Sequence, residues 1–245
     1  MLSSLLEPVL PDDPSARGHC LKALAVTVPR LEGDAGRAQG WLPLSRLLAE
    51  HSLVQPWLQA DLDAGSLPSR RVALSQLYKQ ICLDLLAPVW VAALARGREF
   101  AVAPSQLWLR RDAGADRYGV AFVAGDPSAS PLDESRLLAD VGVLVAALER
   151  LFRQRLQLGA ASFWSTTALA LAQPWIRLRG ELDSAILAPA AMAVLEQLDP
   201  RLCRYLQWAP VSQAGTAMDF VLRRRGCCFK YQLPGESFCG TCGIG

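Results

Sequence analysis

Four cysteines stand close together near the C-terminus: Cys227-Cys228, ten intervening residues, then Cys239-Gly-Thr-Cys242. Two adjacent thiols followed by a C-x-x-C can wrap a metal centre within one short loop. A loop tied in that way restricts every element that leads into it. Thiolate-only coordination selects soft metals, chiefly zinc or an iron–sulfur cluster. A [2Fe–2S] cluster takes two thiolates on each iron. A structural zinc site with four cysteines usually comes as two C-x2–4-C knuckles, and here the first knuckle lacks its spacer. Spacing therefore favours iron–sulfur over zinc. Consecutive side chains point apart in an extended strand, so Cys227 and Cys228 need irregular backbone to converge on one iron. Gly226 and the Pro234-Gly235 turn can supply it. The other division, with one cysteine of each pair on each iron, is open as well.

The surroundings of these thiols narrow the choice. Residues 1–10 have no basic segment and no long apolar run, so no secretory signal is expected. The most apolar window, 81–95, contains Asp84 and Pro88 and is shorter than the roughly 20 residues a membrane span needs. The chain is expected to be cytosolic, where clustered cysteines read as metal-binding or redox-active rather than as disulfides. Cys20, Cys82 and Cys203 stand alone. Cys82 lies in an apolar stretch and reads as a small core residue. His19-Cys20 is a weak ligand signal.

The net charge of +2 argues against a nucleic-acid partner, which asks for a strongly basic face. The charge is uneven: residues 201–245 hold six Lys/Arg against two Asp/Glu, hence +4, leaving −2 for the rest. With about half its residues apolar, the chain can bury a sizeable core without a staple.

Along the body, apolar residues recur mostly at three- and four-residue steps over 42–62, 68–96, 132–158, 160–173 and 184–198. Ser69 and Asp133 are expected caps. Pro56, Pro88 and Pro189 are expected to break, kink or weaken their helices. Residues 8–18, with three prolines, read as an arm leading into the first helix. Strand formers on either side of a Gly/Asp-rich loop predict a β-hairpin over 106–123. The fold class is α+β, helix-dominated. The division expected is a helix-rich body over 1–215 and a cysteine segment over 216–245.

The string Gly226-Cys-Cys-Phe-Lys-Tyr, followed by Phe-Cys-Gly-Thr-Cys242, resembles the C-terminal C-C-x10-C-x2-C signature of the FhuF-type ferric-siderophore reductases. The resemblance covers about the last twenty residues. It implies a [2Fe–2S] cluster held by Cys227, Cys228, Cys239 and Cys242. It further implies reduction of Fe(III) in a hydroxamate-type siderophore, at the cytoplasmic face of a bacterial inner membrane, with peripheral association there left open. No G-x-G-x-x-G stands between a strand and a helix, so an external electron donor, protein or small molecule, is expected. Arg223, Arg224, Arg225 and Lys230 flank the cysteines. They can raise the potential of such a centre, dock an acidic donor, or simply solvate a loop. Trp208 and Arg224 are the substrate-contact candidates. The alternatives are a non-catalytic iron–sulfur carrier or sensor, a siderophore-binding protein, and a zinc-stapled interaction protein.

Overall fold

Capping residues set where the helices begin. The computed structural model describes residues 3–28, 40–65, 67–96, 103–111, 118–122, 132–211 and 219–242. Helix α1 (Pro14–Ala23) starts where the Asp13 carboxylate accepts from the Ala16 amide at 2.8 Å. The expected arm over 8–18 is therefore partly helix. Pro14 occupies the first turn, where a missing N–H costs nothing. A short strand β1 (Leu42–Pro43) leads into α2 (Leu44–Ala49), and after a 3-10 turn α3 spans Gln55–Asp63. The break expected near Pro56 is present: α2 and the 3-10 turn end before it, and Pro56 sits in the first turn of α3.

Ser69 caps α4 (Arg70–Gln80), accepting from the Val72 amide at 3.3 Å. A π-helical turn, Ile81–Leu86, then joins α4 to α5 (Ala87–Arg96). The widened turn stands immediately before Pro88, whose ring would crowd the carbonyl four residues back in regular α-helix. The kink expected at Pro88 is thus absorbed by a change of hydrogen-bond register. The resulting helix, Arg70–Arg96, is 27 residues long and apolar enough to cross a membrane by length and composition. Yet 72% of its most apolar window is buried inside the fold, as in a core helix.

The predicted hairpin is present. Strands β2 (Leu107–Arg111) and β3 (Tyr118–Phe122) pair antiparallel, with Leu107 opposite Phe122 and Arg111 opposite Tyr118. Its turn, 112–117, lies outside the described residues. β1 adds a third strand, Leu42 opposite Leu109. Asp133 caps α6 (Glu134–Glu149), which ends in a second π turn, Arg150–Arg155. Then follow α7 (Ala160–Leu171), α8 (Gln173–Arg177), α9 (Ser184–Leu198) and α10 (Pro200–Tyr205). Helix α9 runs through Pro189. Pro189 and Ala185 are both on the exposed side, so the carbonyl that the proline strands can be hydrated.

A second hairpin closes the chain. β4 (Leu206–Val211) pairs antiparallel with β5 (Asp219–Arg224), placing Leu206 opposite Arg224 and Trp208 opposite Leu222. The division expected at 215/216 falls on residues outside the described set. The described residues are mostly helical, with two small antiparallel sheets and a C-terminal cysteine region, as the composition and periodicity indicate.

The core locks α4 and α7 side by side. The Tyr78 ring stacks on Phe163 at 4.7 Å and meets Phe152 at 4.8 Å, while Phe163 sets its edge to Trp164 at 4.9 Å. Such pairs add about 0.5–1.5 kcal/mol beyond their buried area. The Tyr78 hydroxyl pairs with Thr167 Oγ1 at 2.5 Å, so the one polar tip in the cluster is satisfied. Trp90 donates from Nε1 to the Leu171 carbonyl at 2.8 Å, tying α5 to the end of α7. With α4 and α7 fixed, the cleft between them has a set width.

Candidate metal centre

The cysteine loop is seated in that cleft by hydrogen bonds from both helices. On α7, Ser162, Ser165 and Thr166 fall at i, i+3 and i+4 and so share one face. All three are buried. Ser162 Oγ donates to the Cys227 carbonyl at 2.5 Å. From α4, Gln76 Nε2 donates to the Cys228 carbonyl at 2.6 Å and Ser75 Oγ donates to the same oxygen at 3.3 Å. Arg71, one turn earlier, lies over the Phe229 ring at 4.3 Å. Between these anchors the backbone must touch α7. A Cβ on Gly226 would fall 1.9 Å from the Ala161 carbonyl oxygen and 2.6 Å from Ser165 Oγ. Only glycine lets the chain pass there.

After Cys228 the chain turns sharply at Phe229, which has φ 58°. The Phe229 amide donates to Cys227 Sγ at 3.2 Å. The Lys230 ammonium pairs with Glu236 at 2.7 Å, and Tyr231 stacks on Phe238 at 4.7 Å. These two contacts close the ten-residue loop and bring Cys239 back. The segment then runs beside β5: the Arg224 amide donates to the Thr241 carbonyl at 2.9 Å, and the Cys242 amide to the Cys239 carbonyl at 2.8 Å.

The thiols meet as two pairs. Cys228 and Cys239 lie within hydrogen-bonding reach of each other, and so do Cys227 and Cys242. Each pair takes one cysteine from the doublet and one from the C-x-x-C. The two cysteines of the doublet thus face different cysteines of the C-x-x-C.

A single cation is buried among them. Arg224 is 1% exposed, as is Cys228. Its Nη2 donates to Cys239 Sγ at 2.8 Å and to Cys228 Sγ at 3.3 Å, and its Nη1 to Thr166 Oγ1 at 3.5 Å. Its Nε has no partner among the described residues. The Cys228 thiol's hydrogen bond, then the Arg224 charge, hold Cys239 well below the ordinary thiol range. Cys228 is pushed up by that same shared proton and by burial.

The other sequence candidates are placed as follows. Arg224, taken as a substrate contact, is turned inward onto thiols and has no face left for an incoming chelate. Its neighbours Arg223 and Arg225 are exposed. Trp208 is half-buried beside a groove, with Nε1 shielded and without a partner among the described residues. Asp219 and Phe220 begin β5. Cys82 is fully buried, and burial pushes its thiol up to about 12, which fits an inert core residue. Cys20 is buried while His19 is exposed, so the dipeptide does not converge. Trp90, Trp164 and Trp175 are core residues.

These features test a cluster against a single ion. A tetrahedral zinc site asks for four ligands on one point. A [2Fe–2S] cluster asks for two pairs, each on its own iron, and carries net negative charge that a buried guanidinium can offset. The donor set fits the cluster. Residues 224–242 match the FhuF 2Fe-2S C-terminal domain. The match begins at Arg224, the residue under the thiols, and ends at the last cysteine. The FhuF-type resemblance read from the cysteine spacing is borne out over this segment, and the cofactor is a [2Fe–2S] cluster. No curated protein matches the chain.

The fastening residues Ser75, Gln76, Ser162 and Thr166 were not among the sequence candidates. A signal for some of them exists. Ser162, Ser165, Thr166 and Thr167 interrupt an otherwise apolar helix, and buried hydroxyls need partners.

Proposed function

We propose that this protein reduces Fe(III), held by a hydroxamate-type siderophore, to Fe(II) that the chelator releases. The observation that carries the reading is the pairing of Cys228 with Cys239 and of Cys227 with Cys242 around a buried cation, within a segment of FhuF type. Family association with ferric-siderophore reduction supports the substrate class. Cys227, Cys228, Cys239 and Cys242 are the proposed ligands. Bound there, a [2Fe–2S] cluster supplies single electrons.

The chain's own residues do the rest. Ser75, Gln76 and Ser162 hold the doublet's carbonyls, so the sulfurs keep their places whichever charge the centre carries. Cys227, Cys239 and Cys242 are only half-buried, which keeps the centre near the surface where a bulky chelate can approach. Hard hydroxamate oxygens bind Fe(III) more tightly than Fe(II). One electron added to the iron therefore loosens the chelate. The electron comes from an external donor, protein or small molecule, and we place the reaction in the cytoplasm, at the inner face of the membrane.

The seat proposed for the chelate is a groove of about 610 Å³ between α9, α10 and β4, lined by Pro189, Met192, Leu206 and Trp208 among others. Its Leu206 stands directly opposite Arg224 in the β4–β5 ladder. The half-buried Trp208 ring forms part of the groove's wall, with Nε1 turned away from solvent. Trp208→Ala should remove that apolar wall, raising the half-saturating chelate concentration up to ~10-fold with the turnover rate retained. Steady-state kinetics across chelate concentrations checks this.

The reading itself is tested with the anaerobically purified, dithionite-reduced protein mixed with a ferric hydroxamate and an Fe(II) trap. Reoxidation of the visible spectrum in step with trapped Fe(II) is expected. No Fe(II) with any of several hydroxamates would leave a carrier or sensor instead.

A further inference from the structure

Arg224 is the least explained residue of the molecule by ordinary folding logic. A guanidinium is always charged, and burying it without a counter-charge is costly. No carboxylate pairs with it among the described residues. Among the described residues its side chain donates to the Cys228 and Cys239 sulfurs and to the Thr166 hydroxyl. Its position is set by strand alternation. Leu222 and Arg224 face the body from β5, whereas Arg223 faces solvent. The three consecutive arginines therefore divide into one inside and two outside.

We propose that Arg224 is a positioning residue that holds the Cys228 and Cys239 sulfurs side by side and raises the reduction potential of the centre. The inference rests on the reading of the four cysteines as cluster ligands. The centre gains one negative charge when it takes up an electron. A buried cation 2.8 Å from one ligand sulfur and 3.3 Å from another stabilises the more negative form, because the low-dielectric surroundings weaken the interaction little. Arg223 and Arg225, in water, are screened over about 10 Å at moderate salt and contribute little. Hydrogen bonds to ligand sulfur act in the same direction. Among the four cysteines Arg224 donates to Cys228 and Cys239, so its charge would act from one side of the site.

The test is a spectroelectrochemical titration of cluster-loaded protein, with iron and sulfide counted per chain. Wild type is compared with Arg224→Met, Arg224→Gln and Arg223→Gln. Both position-224 variants should move to more negative potential. The reduction equilibrium is expected to be at least ~10-fold less favourable, equivalent to about 59 mV for one electron. Their electron paramagnetic resonance signal in the reduced state should also shift. Arg223→Gln should match wild type. A cluster-loaded Arg224→Met or Arg224→Gln with the wild-type potential overturns the inference while leaving the cluster reading intact. If both fail to load, the wild type decides alone. A potential that stays constant between low and high salt supports the buried charge, and one that falls with salt assigns the effect to the exposed arginines and overturns the proposal. A wild type that binds zinc and no iron sinks the cluster reading, and the inference with it.

Discussion

Gly226→Ala is expected to abolish cluster loading and to destabilise the fold by at least ~3 kcal/mol, the upper end for forced overpacking. The new methyl would meet the Ala161 carbonyl oxygen at 1.9 Å and its carbon at 2.4 Å. Both are backbone atoms of α7, which the Tyr78–Phe163 stack and the Trp90 bond to Leu171 hold in place. Neither side can yield by rotating a side chain. The loop must lift away, and lifting it breaks the bonds from Ser162, Ser75 and Gln76 to the doublet's carbonyls. For a chain of this size each kcal/mol lowers Tm by about 2–4 °C, so a fall of roughly 6–12 °C is expected on that scale. Gly142→Ala is the opposite case. Nothing lies within 4 Å of its Cβ, and it sits inside α6, where alanine should stabilise by up to ~1 kcal/mol. Thermal denaturation with iron counted per chain reads both. Full loading in Gly226→Ala would mean that the loop does not depend on its contact with α7.

The ligand set was the most legible part of the site, because cysteine spacing is a local property of the sequence. The caps were legible for the same reason: Ser69 and Asp133 act within three residues of themselves. Proline marked the interruptions, but its place within each helix was less legible. Pro14 and Pro56 start helices, and Pro88 is accommodated by a π turn that periodicity does not announce. The hairpin β2–β3 stood out through its polar turn. The hairpin β4–β5 was not read at all, although Leu222 and Arg224 alternate correctly with exposed Arg223. The reason is chemical. An inward arginine contradicts the rule that alternation marks apolar residues, unless anionic sulfur is already known to lie beneath the sheet. The grip of α4 and α7 on the loop joins residues separated by about 65 and 150 positions, and no local pattern encodes such a meeting.

Cys239→Ser is the sharper probe of the centre itself. It should leave less than a tenth of the wild-type iron and sulfide, a colourless protein and no Fe(II) release, because a [2Fe–2S] cluster needs all four thiolates. A second effect separates this change from ordinary loss of a ligand. The substituted hydroxyl would not ionise, so the buried Arg224 would lose its nearest anionic partner, at 2.8 Å. Removing one member of a buried charge pair typically costs about 3–5 kcal/mol. Part of that is recovered if Cys228 ionises in its place, since Arg224 also reaches its sulfur at 3.3 Å. The stability loss should therefore lie below that of a fully orphaned charge, and the double change Cys228→Ser with Cys239→Ser should exceed the single one. Pairing Cys239→Ser with Arg224→Met should restore part of the stability without restoring the cluster, because the uncompensated charge goes with the arginine. Cys82→Ala, in the core and away from the pairs, should keep its iron and lose only the modest stability of a small cavity. Denaturant unfolding of the metal-free proteins measures the coupling. If Cys239→Ser and Arg224→Met prove additive, the two side chains do not interact in the folded protein, and the charge pairing at the base of this centre is wrong.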